Sequence, residues 1–153
     1  MIARDVGVDP SKINYVAFRG GGEATAAILG GNVTIGGSGY SEFSEYIASG
    51  KMKAIAVTSD KRLSGVAVPT LKEQGINVTI GNWRGVYGGP GITDGQRSEL
   101  TNLVLKAVKS KSWQEASEKN NWTASVLTGP QFDKFVDDDF ASLRATMVKS
   151  GMI

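Results

Sequence analysis

The sequence predicts an α/β protein: an open sheet with βα crossovers, followed by C-terminal amphipathic helices. Three observations predict it. Short β-like runs alternate with helical ones through the first half, two of those runs end in glycine-rich turns that open a helix, and after Thr93 the apolar residues recur at helical spacing.

In chain order, residues 14–18 read as a strand, 23–29 as a helix stopped by Gly30 and Gly31, and 33–35 as the next strand. The turn at 36–39, GGSG, leads into SEFSEYIASG, where Phe43, Tyr46 and Ile47 share a face and Gly50 closes the helix. Residues 53–59 are strand-like. In VPTLKEQG, Thr70 and Glu73 are spaced as a capping box and Gly75 is a stop. Residues 78–80 and 83–87 continue as strand, broken near Gly81.

Thr93 and Gln96 form another capping box, ahead of a stripe of Leu100, Leu103, Val104, Ala107 and Val108. Ser112 and Glu115 start a shorter helix around Trp113, and 124–127 reads as one more strand. Thr128 and Gln131 open a long last helix that carries Phe132, Phe135, Val136, Phe140, Leu143 and Met147 and ends at Gly151. These helical faces need a cover, either this chain's own sheet or sequence beyond it.

Composition narrows the chemistry. At 153 residues, with 41% hydrophobic and 21% charged side chains, the chain is a single globular unit rather than a disordered one. Cys and His are both absent, which removes thiol chemistry, Cys/His zinc sites and every His-dependent triad. The net charge of +2 comes with no Lys/Arg stripe, so no nucleic-acid partner is predicted. No apolar run approaches the roughly 18 residues of a membrane span, and the first residues lack the pattern of a signal peptide.

Three stretches carry candidate binding residues. In RGGGE, the glycines Gly20, Gly21 and Gly22 stand between Arg19 and Glu23 at a predicted helix start. Backbone N–H groups free of side chains at a helix N-terminus make an anion site, and the alternative is a tight βα turn with close helix packing. The loop is neither a Walker A motif nor a dinucleotide fingerprint, because the required Gly-Lys-Ser/Thr and third glycine are missing.

The loop of Gly37, Ser38, Gly39 and Tyr40 repeats the arrangement at the same predicted sheet edge. In GNWRG, Arg84 suits bidentate capture of a carboxylate and Trp83 a pocket wall, although alternating strand geometry turns the two to opposite faces. The alternative is a core Trp beside a solvated Arg. The run Asp137, Asp138, Asp139 spreads around a helix and is read as a solvated face, with no metal assigned.

The order YVAFRGGGEATAAILGGNV, YIASGKMKAIAVTSDKR, VPTLKEQGI and NWRGVYGGPGIT resembles the solute-binding subunits of tripartite tricarboxylate transporters, the Bug family, and specifically their C-terminal half. The resemblance implies half of a bilobed, flytrap-like fold of the periplasmic-binding-protein kind and a receptor rather than an enzyme, with no cofactor. Its implied partners are a citrate-like carboxylate and membrane transporter subunits. Residues 1–82 would form most of the second lobe, 83–92 a crossover between lobes, and 93–153 helices that pack on the first lobe. It also implies that the Arg19 to Glu23 loop lines the ligand cleft, with residues 37–40 nearby. Trp83 and Arg84 match the Trp-Arg-Gly variant of the tricarboxylate branch.

Glu23 departs from the family, whose members often have Pro there; its carboxylate suits the helix dipole but repels an anionic ligand. Periplasmic localisation rests on the resemblance alone. Since only half a cleft is present, a homodimer or domain swap is a further expectation. Two competing functions stay open: a phosphate-handling α/β enzyme using Ser38, Glu23, Glu42 or Asp60, and a truncated domain acting only in assembly.

Overall fold

The computed structural model describes residues 1–153 and contains six α-helices. They are α1 (Ile2–Asp5), α2 (Gly21–Leu29), α3 (Tyr40–Ala48), α4 (Asp94–Val108), α5 (Lys111–Lys119) and α6 (Gly129–Lys149). Short 3-10 turns add Pro10–Lys12 and Lys72–Gln74.

The helix boundaries follow local chemistry. Thr93 and Gln96 close their capping box around α4: Gln96 N–H donates to Thr93 Oγ1 at 3.2 Å, and Gln96 Oε1 accepts from Thr93 N–H at 2.8 Å. Thr70 and Glu73 do the same at 3.1 and 2.7 Å, but the box opens only the single 3-10 turn Lys72–Gln74, which Gly75 stops at φ 81°. Gly50 and Gly151, at φ 73° and 71°, fulfil the same role after α3 and α6.

Two starts differ from expectation. The cap of α5 is Ser110, whose Oγ accepts from Trp113 N–H at 3.2 Å, and Ser112 lies inside the first turn. Thr128 precedes α6 as expected but makes no side-chain cap; Pro130, with its fixed φ, stands in the first turn instead.

The expected strands are the principal correction. No regular strand forms at 14–18, 33–35, 53–59, 78–80, 83–87 or 124–127; the one β contact is a parallel bridge between Val57 and Thr70. It is made by Val57 N–H to Pro69 O at 2.9 Å and Leu71 N–H to Val57 O at 3.0 Å. Beside it Ile80 N–H reaches Thr58 O at 3.0 Å, and the Thr58 hydroxyl returns to Ile80 O at 2.8 Å. Segments 53–59 and 78–80 therefore meet in one small unit, with Val66, Thr70, Leu71 and Val78 buried in it. A parallel sheet is stable only when both faces are covered, and here Tyr15, Val16, Ile35 and Ile55 all remain exposed.

A second small core lies between α2 and α3. Gly21, Ala24, Thr25 and Ala27 form the buried face of α2, so the alanine-rich run after the glycines is what lets another segment approach closely. The Ile28 side chain packs where Gly36 has no Cβ; one built there would meet Cγ1 at 2.9 Å and Cδ1 closer still.

The third packing unit joins residues 83–87 to α6. Trp83 stands edge-on to Phe132 and Phe135, with ring centroids 6.1 and 5.3 Å away, and Tyr87 leans on Phe132 at 5.6 Å. Gly85 admits this cluster, since a Cβ there would meet the Phe132 ring at 2.8 Å.

These units leave much apolar surface open. The accessible area is 11,584 Å², against about 7,500 Å² for a compact monomer of 16.2 kDa by the usual size scaling. Leu100 and Leu103 on α4 and Phe140, Leu143 and Met147 on α6 are all exposed, so the predicted stripes form on their helices without being covered. No helix is long and apolar enough to cross a membrane.

Candidate functional site

The packing of α2 on α3 puts the two glycine loops next to each other. Gly20, in extended conformation, precedes α2, and no side chain caps the helix, so the N–H groups of Gly21, Gly22 and Glu23 have no partner. Glu23 folds back over the turn, its Oε2 accepting from Arg19 N–H at 3.1 Å. The Arg19 side chain forms no ion pair. Arg19, Gly20, Gly22 and Glu23 are exposed, and Gly21 is buried.

The reason for that burial is Glu42. Its carboxylate lies against Gly21, where a Cβ would come within 2.9 Å of Oε2 and closer still to Oε1. Glu42 Oε2 also accepts from Gly39 N–H at 2.9 Å and from the Ser38 hydroxyl, which closes the N-terminus of α3. Of the three consecutive glycines, Gly21 is thus the one packed against an internal side chain, whereas Gly20 and Gly22 face open space. Gly37 is open as well, and Tyr40 begins α3, half-buried.

Asn82 links the second loop to Arg84. Its Nδ2 lies 3.5 Å from the position of a Cβ at Gly39, and its Oδ1 accepts from Arg84 Nη1. Arg84 Nη1 also donates to the carbonyls of Asn82 at 3.3 Å and Trp83 at 3.1 Å. These bonds tie one end of the guanidinium and leave Nε and Nη2 unpaired on an exposed side chain. Trp83 turns the other way: its ring packs on α6 and its indole N–H donates to Asp139 Oδ2 at 3.0 Å. Trp83 and Arg84 thus have separate partners, although no strand forms at 83–87. Asp139 belongs to the run read as a solvated face, and it is half-buried through this bond; Asp138 instead pairs with Lys134 at 2.7 Å.

Sequence reasoning singled out the loops and Arg84 but not Asn82, and it weighed Glu42 only as a catalytic carboxylate. The signal was present in the spacing: Gly39 and Glu42 stand three apart, as in a capping box, ahead of an amphipathic run. Of the other catalytic candidates, Ser38 is engaged by Glu42 and Asp60 pairs with Lys72 in the bridge unit. No group of three or more His, Cys, Asp and Glu converges. A concavity of about 580 Å³, lined by Asn102, Leu105, Lys106, Lys109 and Ser110 on α4 and its turn into α5, is wide open and includes none of these groups. Ligand sites usually bury most of their ligand, so it carries no site.

The sequence profile described as tripartite tricarboxylate transporter family receptor matches residues 1–152. The chain belongs to this family. It is a family of receptors, not of enzymes. Protein BugT of Bordetella pertussis is 29% identical over 142 residues, which is 91% of this chain and 43% of that protein. A crystal structure of a TctC solute-binding protein from Polaromonas, solved without ligand, aligns with a TM-score of 0.64 at 29% identity, covering 98% of this chain and 49% of that one. The chain spans less than half the length of each of these relatives. Its shared architecture is therefore that of a solute-binding protein, matched over part of the fold.

Proposed function

We propose that this chain forms one side of the ligand cleft of an extracytoplasmic solute receptor, binding a small carboxylate such as citrate for a tripartite transporter. The observation that carries this is the surface where α2 begins. Three unpaired N–H groups point out of an uncapped helix, and across Gly39 the guanidinium of Arg84 is held by Asn82 with two of its nitrogens free. Helix N-termini and guanidinium forks both suit carboxylate oxygens.

Residues 1–82 then act as most of the second lobe, 83–92 as the crossover, and α4 to α6 as helices whose open stripes seat on the rest of a bilobed receptor. The exposed area beyond that of a compact monomer supports this division, and a second copy of the chain is the other body able to cover it. Arg19, Gly37, Ser38 and Tyr40 border the cleft, and Trp83 anchors the crossover that carries Arg84. A periplasmic location and membrane transporter subunits as partners follow from the receptor reading.

The test is calorimetric titration with citrate, a dicarboxylate panel and inorganic phosphate. Saturable citrate binding, weakened about tenfold or more by Arg84→Ala, is the expected result for loss of a charge-assisted contact. Heat with no anion, or equal affinity in the variant, contradicts it.

A further inference from the structure

The run INYVAF, residues 13–18, is a strand without a sheet. It passes without turn or bend from Ile13, at φ −84° and ψ 121°, to the loop at Arg19. None of the backbone N–H and C=O groups of residues 14–18 has a hydrogen-bond partner within the chain. Segments 53–59 and 78–80 find each other, whereas this one finds nothing. All six residues are exposed, Tyr15 at 65% and Val16 at 48%.

Proteins keep such an edge single with charges, proline or a bulge. Residues 13–18 contain no charged residue, no proline and no glycine, and Ile, Tyr, Val and Phe are residue types that favour strands. Six residues of that kind form the pattern that pairs with copies of itself.

We propose that residues 13–18 pair with the same run of a second copy of this chain, antiparallel and about a two-fold axis at Val16. Charge sets the direction. In a parallel register Lys12 would lie beside Lys12 and Arg19 beside Arg19, and like charges directly opposite are destabilising. Antiparallel pairing instead places Tyr15 opposite Ala17, Asn14 opposite Phe18 and Lys12 opposite Gly20. Near that Gly20 the same copy's Glu23, whose Oε2 accepts from its own Arg19 N–H at 3.1 Å, supplies the opposite charge.

Each strand gains backbone hydrogen bonds and cross-strand apolar pairs, and the contact is isologous. The surface for a second copy is present: the chain exposes about 4,000 Å² beyond a compact monomer of its size, against about 800 Å² per partner in a stable interface. This pairing is independent of ligand binding and uses a different surface from the α4 and α6 stripes.

Val16 on the two-fold axis faces itself, which gives the test. Sedimentation of the native chain over a concentration series is expected to show a monomer–dimer equilibrium. Val16→Lys and Val16→Glu each set two like charges face to face and remove an apolar pair, and each is expected to weaken the dimer about tenfold or more. An equimolar mixture of the two variants is expected to restore it. Val16 is exposed, so neither change disturbs packing within the chain. Because the chain has no cysteine, a nitroxide on Ile13→Cys reads the direction: about 20 Å between labels in the antiparallel pair, about 5 Å in a parallel one.

A native chain that stays monomeric, or that grows past the dimer, overturns the proposal. So does a dimer that both variants leave intact, which would put the contact on the α4 and α6 stripes, and so does a label separation of about 5 Å.

Discussion

The indole N–H of Trp83 donates to Asp139 Oδ2 at 3.0 Å, tying the segment before Arg84 to α6 across 56 residues of sequence. The bond bears on the proposed site because Trp83 directly precedes Arg84, so holding Trp83 on α6 restrains the backbone from which Arg84 leaves.

Trp83→Phe keeps most of the ring contacts with Phe132 and Phe135 but deletes this bond. A hydrogen bond to a charged, partly buried acceptor contributes about 1.5–3 kcal/mol, and Asp139→Ala removes the same one. Urea unfolding is therefore expected to show each variant destabilised by about that amount and the double variant well short of the sum. Additive losses contradict the coupling.

Gly21 and Gly22 are adjacent in sequence and predicted to respond in opposite directions. A Cβ at Gly21 displaces the Glu42 carboxylate, so Gly21→Ala is expected to lose the α3 cap, worth about 1 kcal/mol. Gly22 faces open space within the helix, and Gly22→Ala gains helix propensity of up to about 1 kcal/mol. The two urea midpoints read the difference; equal shifts would show that the Glu42 contact plays no part in stability.

The bridge unit carries a pH dependence. Hydrogen bonds from Arg62 and then from Thr70 N–H hold Glu73 below its ordinary value of 4.5. A depressed carboxylate contributes its full stability above 4.5, and that contribution is lost as pH falls through the lower folded-state value. Hydrogen exchange at Leu71, which donates across the bridge, and at Ile80, which donates to Thr58 beside it, is expected to accelerate relative to the intrinsic rate over that acidic window in the native chain. In Glu73→Gln the acceleration is expected to disappear. An identical profile in both would assign the loss to other groups.

Capping chemistry was legible because it is local. The Thr93 and Gln96 box, the Thr70 and Glu73 box and the glycine stops at 50, 75 and 151 all lie within one turn of what they satisfy. Strands were not, because pairing depends on neighbours and cover from elsewhere in the fold: Ile35, in a run read as strand, stays exposed. The same holds for the site. The glycine loops and Arg84 announce themselves by composition, whereas the approach of Glu42 to Gly21 and of Asn82 to Gly39 needs the packing of α2 on α3 and the path of residues 82–84.

The most direct test of the central claim is an amide chemical-shift map of the ¹⁵N-labelled chain titrated with citrate. The account predicts saturable shifts concentrated at residues 20–23 and 37–40 and at the Arg84 side chain, with the largest at Gly21 and Gly22. Shifts that cluster instead around Asn102 to Ser110, or that never saturate, would contradict it.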